Sequence, residues 1–409
     1  MDLHAGSLYW PTTGTKSQHF PPLKQNTRKQ VAIIGGGMSG AIIGYMLSKQ
    51  GISACLIERG RIAGGSTSAN TGLLQYANDI MLHELISQIG EHQAVRFYKA
   101  CRSAVNQLYQ ISSELPGNTA FYRRSSLLYA DTEQHLPKLQ KEFRTLRLYG
   151  FDTDYLSADD LGSRFPFRKA GAILTRGDAE VNPYLFVHGL IEQAARLGLE
   201  VYEHTEAVTH KSRGGLHRLE TAEGAIIDAD HIVYAIGYEP EELRGRLIHA
   251  QLDRSFAAVT APQRNLSAWP GNCLIWNTAD PYFYLRTTPD GRVVIGGLDE
   301  RNRIPVKSEP LRNKRIHKLH HQLQQLFPML DAPLEYSWSA TFGVSRDNLP
   351  FIGPDPEWPG VFYCLGYGGN GTVYSMIAAN LLLFVIRSEH HPVADIVKLD
   401  RPFLLQPQS

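Results

Sequence analysis

Six residues, Gly35-Gly36-Gly37-Met38-Ser39-Gly40, constrain the fold of this chain more than any other feature. They match G-x-G-x-x-G through Gly35, Gly37 and Gly40, a pattern that is weak alone and informative only in context. The context is present. Val31-Ala32-Ile33-Ile34 is a short continuous apolar run, as expected of a parallel strand buried on both faces. After the glycines, Ile42, Ile43, Met46 and Leu47 recur at helical spacing, and Gly51 stands where a helix C-terminal glycine belongs. Ile52 to Ile57 reads as a second strand, closed by Glu58 near the expected interval of about 20 residues. In such a βαβ unit the glycines permit the tight turn, the approach of backbone to a pyrophosphate, and the packing of helix on sheet. The helix N-terminus then presents N–H groups and a positive dipole end to the phosphates. A carboxylate at Glu58 accepts hydrogen bonds from ribose hydroxyls and repels a 2′-phosphate, which argues against NADP. The competing reading, a glycine turn that binds nothing, leaves the flanking pattern unexplained.

Bulk properties narrow the partners. The chain has 409 residues, 43% hydrophobic, enough for two or three domains. Its net charge of +1 provides no global field for nucleic acid or an anionic membrane, so a small-molecule substrate is expected. Cys55, Cys101, Cys273 and Cys364 are too scattered for a zinc or CxxC site and fit a reducing, cytoplasmic compartment. The apolar run around Met376 to Ile386 is shorter than the roughly 20 residues a membrane span needs. Residues 1–29 are polar, proline-containing and aperiodic, and read as an irregular arm that Tyr9 and Trp10 anchor on the surface of the main body.

The strand-to-helix grammar returns downstream. Asn182-Pro183 gives a helix N-cap followed by proline at the first helical position, with the helix stopping at Gly198 before a strand over Leu199 to Glu203. His231 to Ala235 forms another apolar strand, ending at Gly237. Val361 to Leu365 leads into a second cluster, Gly366-Tyr367-Gly368-Gly369-Asn370-Gly371, and a long apolar helix. No acid-terminated strand follows that helix, so the second cluster reads as another helix N-terminus aimed at the same cofactor. Residues 81–165 are mostly helical in pattern, with Leu136, Leu139, Phe143 and Leu146 as a core stripe. Residues 251–340 mix strands, such as Phe283 to Leu285 and Val293 to Ile295, with turns such as Pro289-Asp290-Gly291. The fold class expected is α/β. A Rossmann-like cofactor domain is assembled from 30–80, 166–250 and 341–409, and an α+β substrate domain is inserted as 81–165 and 251–340.

The segment after Glu58, Arg59 to Gly72, is rich in glycine and hydroxyl side chains and suits a loop wrapping the second half of a dinucleotide. A flexible surface loop is the plain alternative. Together these segments resemble the D-amino-acid-oxidase-like flavoprotein superfamily, which includes glycine oxidase, sarcosine oxidase and gamma-glutamylputrescine oxidase. The likeness runs from about Gln30 to Phe403. It rests on the first fingerprint with Glu58, the Ser66 to Gly72 loop, Gly177 to Pro183, Tyr234 to Gly237, and Ser345 to Gly353 followed by the second glycine cluster.

The resemblance implies FAD held by Gly35, Gly37, Met38, Ser39, Gly40, Glu58, Arg59, Ser66, Thr67, Ser68, Asn70, Thr71, Gly72 and Leu74. It adds Val208, Ala235, Gly237, Gly368, Gly369, Asn370, Gly371 and Thr372 from later segments. Glycine-oxidase-like members place a carboxylate-binding Arg where Phe342 stands here, and some relatives have a His where this chain has Asn370. Cys364 lies within a strand, which favours noncovalent FAD.

The activity implied is oxidation of a small amine or amino acid by hydride transfer to flavin, with oxygen or another acceptor reoxidising it. A flavin dehydrogenase of hydroxy acids and a noncatalytic flavoprotein scaffold remain as alternatives. Tyr284 and Arg286, on one predicted strand, either face the flavin and hold an anionic group or sit on the solvent side of a sheet. Tyr367 either contacts substrate or flanks the flavin. The pairs His320-His321 and His390-His391 lack metal-ligand spacing, and Arg312 to Lys318 reads as the solvated face of a helix through Ile316, Leu319, Leu323 and Leu326.

Overall fold

A computed structural model of the chain describes residues 3–14, 18–238, 250–366 and 368–402. Two sheets organise it. The strand Thr27–Ile34 lies inside an eight-stranded sheet, paired in parallel with Ala54–Ile57 on one side and Ile226–Tyr234 on the other. Glu200–Tyr202 and Val361–Leu365 extend this parallel core outward in the two directions. Both faces are covered, as the apolar run demands. Val31 and Ile33 pack into the cluster that holds Ile42, Ile43 and Leu190 from two helices. Ala32, on the opposite face, joins Leu219, Ile227 and Tyr363. The helices Met38–Lys49, Pro183–Arg196 and Gly371–Ile386 lie at positions the pattern predicts, with the carboxamide oxygen of Asn182 accepting from the N–H groups of Tyr184 and Leu185.

The second sheet has ten strands. Its order runs His4–Ser7, Leu334–Ser345, Ala250–Thr260, Val293–Glu300, Phe283–Thr287, Leu274–Asn277, Tyr122–Tyr129, Gly171–Glu180 and Leu73–Leu74, with Thr153–Ser157 also paired to Gly171–Glu180. Helix Glu309–Leu326 covers one face through Ile316, Leu319, Leu323 and Leu326, against Phe256, Phe283, Leu285 and Ile295. Strand period two therefore sends Tyr282 and Tyr284 to the other face.

Three segments depart from the pattern reading. The arm is not irregular throughout: His4–Ser7 pairs antiparallel with Leu334–Ser345, His4 opposite Ala340. Tyr9 and Trp10 anchor the arm on the main body, as expected, and are buried at 5% and 2% exposure in doing so. A four-residue edge strand is held by backbone hydrogen bonds, which leave no mark on side-chain type. Within 81–165 the chain forms the central strand Tyr122–Tyr129, whose polar first half and apolar second half show no alternation. Gly171–Glu180, placed by sequence with the cofactor unit, hydrogen-bonds within the ten-stranded sheet. All four cysteines are buried and free, and no helix among the described residues is long and apolar enough to cross a membrane.

Candidate flavin and substrate site

The carboxyl ends of the parallel strands open on one cavity of about 400 Å³, where a doubly wound sheet places its ligand. Gly35 turns the chain out of its strand at φ +110°, and a side chain there would lie 2.4 Å from the Ala235 carbonyl oxygen. At Gly40 an added Cβ would sit 1.9 Å from the Gly35 oxygen, so only glycine lets the helix close on the strand. The Glu58 carboxylate accepts from the Gly36 N–H at 2.8 Å and the Gly60 N–H at 2.7 Å, which fixes its position on the cavity wall.

Two helices begin at this cavity, and neither start is capped. Met38–Lys49 has Gly37 and Gly371–Ile386 has Asn370 at the N-cap; neither has a side-chain cap bond or an acidic residue in its first turn. Side-chain caps are found on two other helices, Asn182 on Pro183–Arg196 and Ser157 with Asp160 on Ala158–Arg164, while Glu91–Glu114, Leu136–Leu148 and Glu309–Leu326 also start without one. What sets the two glycine-cluster starts apart is the cavity in front of them. Apart from the Met38 N–H, which Thr67 Oγ1 accepts, the first N–H groups of these helices have no side-chain cap and face a cavity, where they can donate to an anionic ligand. The two starts are joined, with the Ser39 and Ser375 hydroxyls 2.8 Å apart. The separated glycine clusters thus converge on one space.

The loop Ser66 to Leu74 forms the next wall. Thr67 Oγ1 accepts from the Met38 N–H at 3.0 Å, which links loop and helix start. Three successive carbonyls of the loop are each held by a different element. Trp338 Nε1 donates to Ala69 O at 2.9 Å, Trp10 Nε1 to Asn70 O at 2.5 Å, and Arg286 Nε to Thr71 O at 2.8 Å. The Ser66 hydroxyl, on the cavity wall, is buried without a partner.

The ten-stranded sheet closes the far side with Ser255, Trp276, Tyr282, Tyr284, Asp299 and Phe342. Burial, opposed by the Thr71 and Ser255 hydroxyls, pushes the Tyr284 phenol up to about 12, and burial lifts Tyr282 well above its ordinary value. Burial likewise pushes the Asp299 carboxyl up to about 7, and raises that of Asp79, whose Oδ2 accepts from the Gly369 N–H at 2.7 Å.

The structure gathers most of the expected residues around this cavity. Gly35, Gly37, Met38, Ser39, Glu58, Arg59, Ser66, Thr67, Asn70, Thr71, Ala235, Gly237, Gly368, Gly369, Asn370, Gly371, Thr372 and Tyr284 line it. Gly40, Ser68, Gly72 and Leu74 lie behind the wall: the Ser68 hydroxyl donates to Ala63 O, and Leu74 is fully packed. Val208 is 54% exposed and does not line the cavity, whereas its neighbours Thr205, Glu206 and Ala207 do. Arg286 does not reach the cavity either. It is 1% exposed, donates to Thr71 O and Val181 O, and pairs with Glu180 at 3.5 Å. Tyr367 lies outside the described residues. Sequence reading passed over Asp79, Ser255, Trp276, Tyr282 and Asp299. Tyr282 was available from strand alternation with Tyr284, whereas Asp79 and Asp299 belong to no motif.

A family model described as FAD dependent oxidoreductase matches residues 30–383. The chain belongs to that family. Among the similar proteins is a putative Rieske 2Fe-2S iron-sulfur protein of Bacillus subtilis, 26% identical over 98% of this chain and 77% of that one. Another is a glycine oxidase of Geobacillus kaustophilus, 25% identical over 87% of this chain and 92% of its own length. The crystal structure of glycine oxidase from Geobacillus kaustophilus superposes with a TM-score of 0.77 at 22% identity, covering 91% of this oxidoreductase and 99% of the enzyme compared. The cofactor is FAD, and the residues present fit it. The uncapped helix starts suit its diphosphate and ring, and the unpartnered Ser66 hydroxyl suits a polar ligand along the loop.

Proposed function

We propose that this oxidoreductase binds FAD noncovalently and oxidises a small amine or amino acid at the carbon beside its nitrogen. The observation that carries the reading is the shared cavity: two uncapped helix starts on one side, a wall of strand side chains on the other. Bound FAD supplies the hydride acceptor. In this reading the Gly37–Ser39 backbone holds the diphosphate and Glu58 the adenosine ribose. Thr205 to Ala207 lie against the adenine end. The loop from Ser66 to Thr71 and the Gly369 to Thr372 turn hold the ring portion. None of the four cysteines lines the cavity, which supports noncovalent attachment.

Tyr284 keeps its proton at neutral pH, so it orients substrate by hydrogen bonding and does not act as a base. Hydride loss from a neutral amine needs no strong base on the carbon. Relatives named as glycine oxidases support an amine or amino acid over a hydroxy acid. The test is direct. The purified protein is expected to be yellow, to release FAD on denaturation, and to bleach anaerobically with amines or amino acids, yielding an aldehyde or keto acid and ammonia or a smaller amine. A colourless protein that refuses added FAD, or a flavin reduced only by hydroxy acids, would overturn the proposal.

A further inference from the structure

The far wall of the cavity has a definite sign. Asp299 borders the cavity, makes no ion pair among the described residues, and has one oxygen, Oδ1, sealed from water without a hydrogen-bond donor. The charges that act on it most strongly, Asp79, Asp253 and Asp280, are all negative. Asp79 stands on the same cavity and acts on Tyr282, Tyr284 and Asp299 alike, which places the two carboxyls around one space. Of the described residues lining the cavity, Arg59 is the one cation, and it follows Glu58 on the nucleotide side. The neighbouring surface is aromatic: the Tyr282 and Tyr284 rings lie 5.7 Å apart, with Trp276 beside them on the same wall.

A carboxyl group with a sealed, unmatched oxygen is costly to ionise unless a cation arrives. Aromatic faces beside it attract the same kind of ligand. An anionic substrate group at this wall would meet two carboxyls and, among the described residues lining the cavity, no cation other than Arg59 on the nucleotide side. We infer that the substrate is a cationic amine without a carboxylate, of the diamine type. One nitrogen stays protonated against Asp299 and Asp79, beside the tyrosine rings, while the other is presented neutral for oxidation. This rests on the oxidoreductase reading above and names its substrate class. Asp299 and Asp79 are then specificity determinants.

The test uses the FAD-loaded protein and needs no turnover. Calorimetric titration with tetraethylammonium chloride, which cannot be oxidised, is compared with sodium acetate at constant ionic strength. Saturable binding of the cation and none of acetate is expected, with affinity for the cation falling about tenfold or more in Asp299→Asn. Turnover of 1,4-diaminobutane is expected to exceed that of glycine in kcat/KM. Saturable acetate binding with no cation binding, or efficient turnover of glycine alone, would overturn the inference. If Asp299→Asn does not fold, Asp79→Asn and the two probes on the unaltered protein decide the matter. A flavin that no amine reduces defeats the oxidase reading alone, because cation binding is measured independently.

Discussion

The indole nitrogen of Trp10 donates to the main-chain oxygen of Asn70 at 2.5 Å, joining the start of the chain to the middle of the cofactor loop. With Trp338 on Ala69 and Arg286 on Thr71, it fixes three consecutive peptide units. Trp10→Phe keeps the ring and deletes the donor. A bond of this kind is worth about 1 kcal/mol net, so FAD should be held roughly fivefold more weakly. Equilibrium titration of the apoprotein with FAD, followed by flavin fluorescence, checks this, and an unchanged affinity would remove the loop from the account of cofactor binding.

Arg286 serves the same loop and not an anionic substrate. Its guanidinium meets the Thr71, Val181 and Thr287 oxygens and the fully buried Glu180. Lysine cannot reproduce that fork. Arg286→Lys should cost about 2–3 kcal/mol of stability by leaving buried acceptors unmet. Urea unfolding measures the loss; a variant of normal stability that is altered only in KM would instead return Arg286 to the substrate.

Gly40→Ala tests the fingerprint itself. The new methyl group would meet the Gly35 carbonyl oxygen at 1.9 Å, a backbone atom that cannot step aside without opening the turn. A loss of about 3 kcal/mol or more is expected, together with loss of FAD. Thermal melting and the visible spectrum report the two effects separately.

Asp299 makes stability depend on pH. Its folded carboxyl titrates at about 7, above the ordinary value of 3.8, because of burial and the negative charges of Asp79, Asp253 and Asp280, with the Ser255 hydroxyl opposing. Between those two values the folded state binds more protons than the unfolded one. The stabilising contribution is therefore present in full below about pH 4 and is lost as pH rises through about 7. Asp299→Asn should be more stable than the parent at pH 8, by up to about 4 kcal/mol, with the gap closing toward pH 4. A gap independent of pH would show that the Asp299 carboxyl titrates alike in the folded and unfolded chain, and a variant less stable than the parent at pH 8 would show that Asp299 is paired in the fold.

The cofactor half of the site was legible because its chemistry is written in local signals: Val31–Ile34, the glycines from Gly35 to Gly40, and Glu58 lie within one short stretch. The second cluster at Gly368 to Gly371 was legible for the same reason, as a strand that runs through glycines into a helix. Substrate-side residues were not. Asp299 owes its exposure to the cavity to the pairing of Val293–Glu300 with Ala250–Thr260 and Phe283–Thr287, and no residue near it in sequence announces that. Arg286 shows the limit from the other direction. Alternation puts it on the same strand face as Tyr284, but two residues farther along, that face lies under the Thr71 loop and not over the cavity. Trp10 carried no pattern at all, because its partner is a backbone atom 60 residues away.

The carbonyl of Ala69 is held from Trp338, that of Asn70 from Trp10, and one uncapped helix start beside them begins only at Gly371. A chain still emerging from the ribosome has its fingerprint early but lacks the late strand and the late helix that finish the cradle. Tight cofactor uptake therefore waits for the helix that begins at Gly371, and a retained yellow colour reports that these early and late segments have found each other.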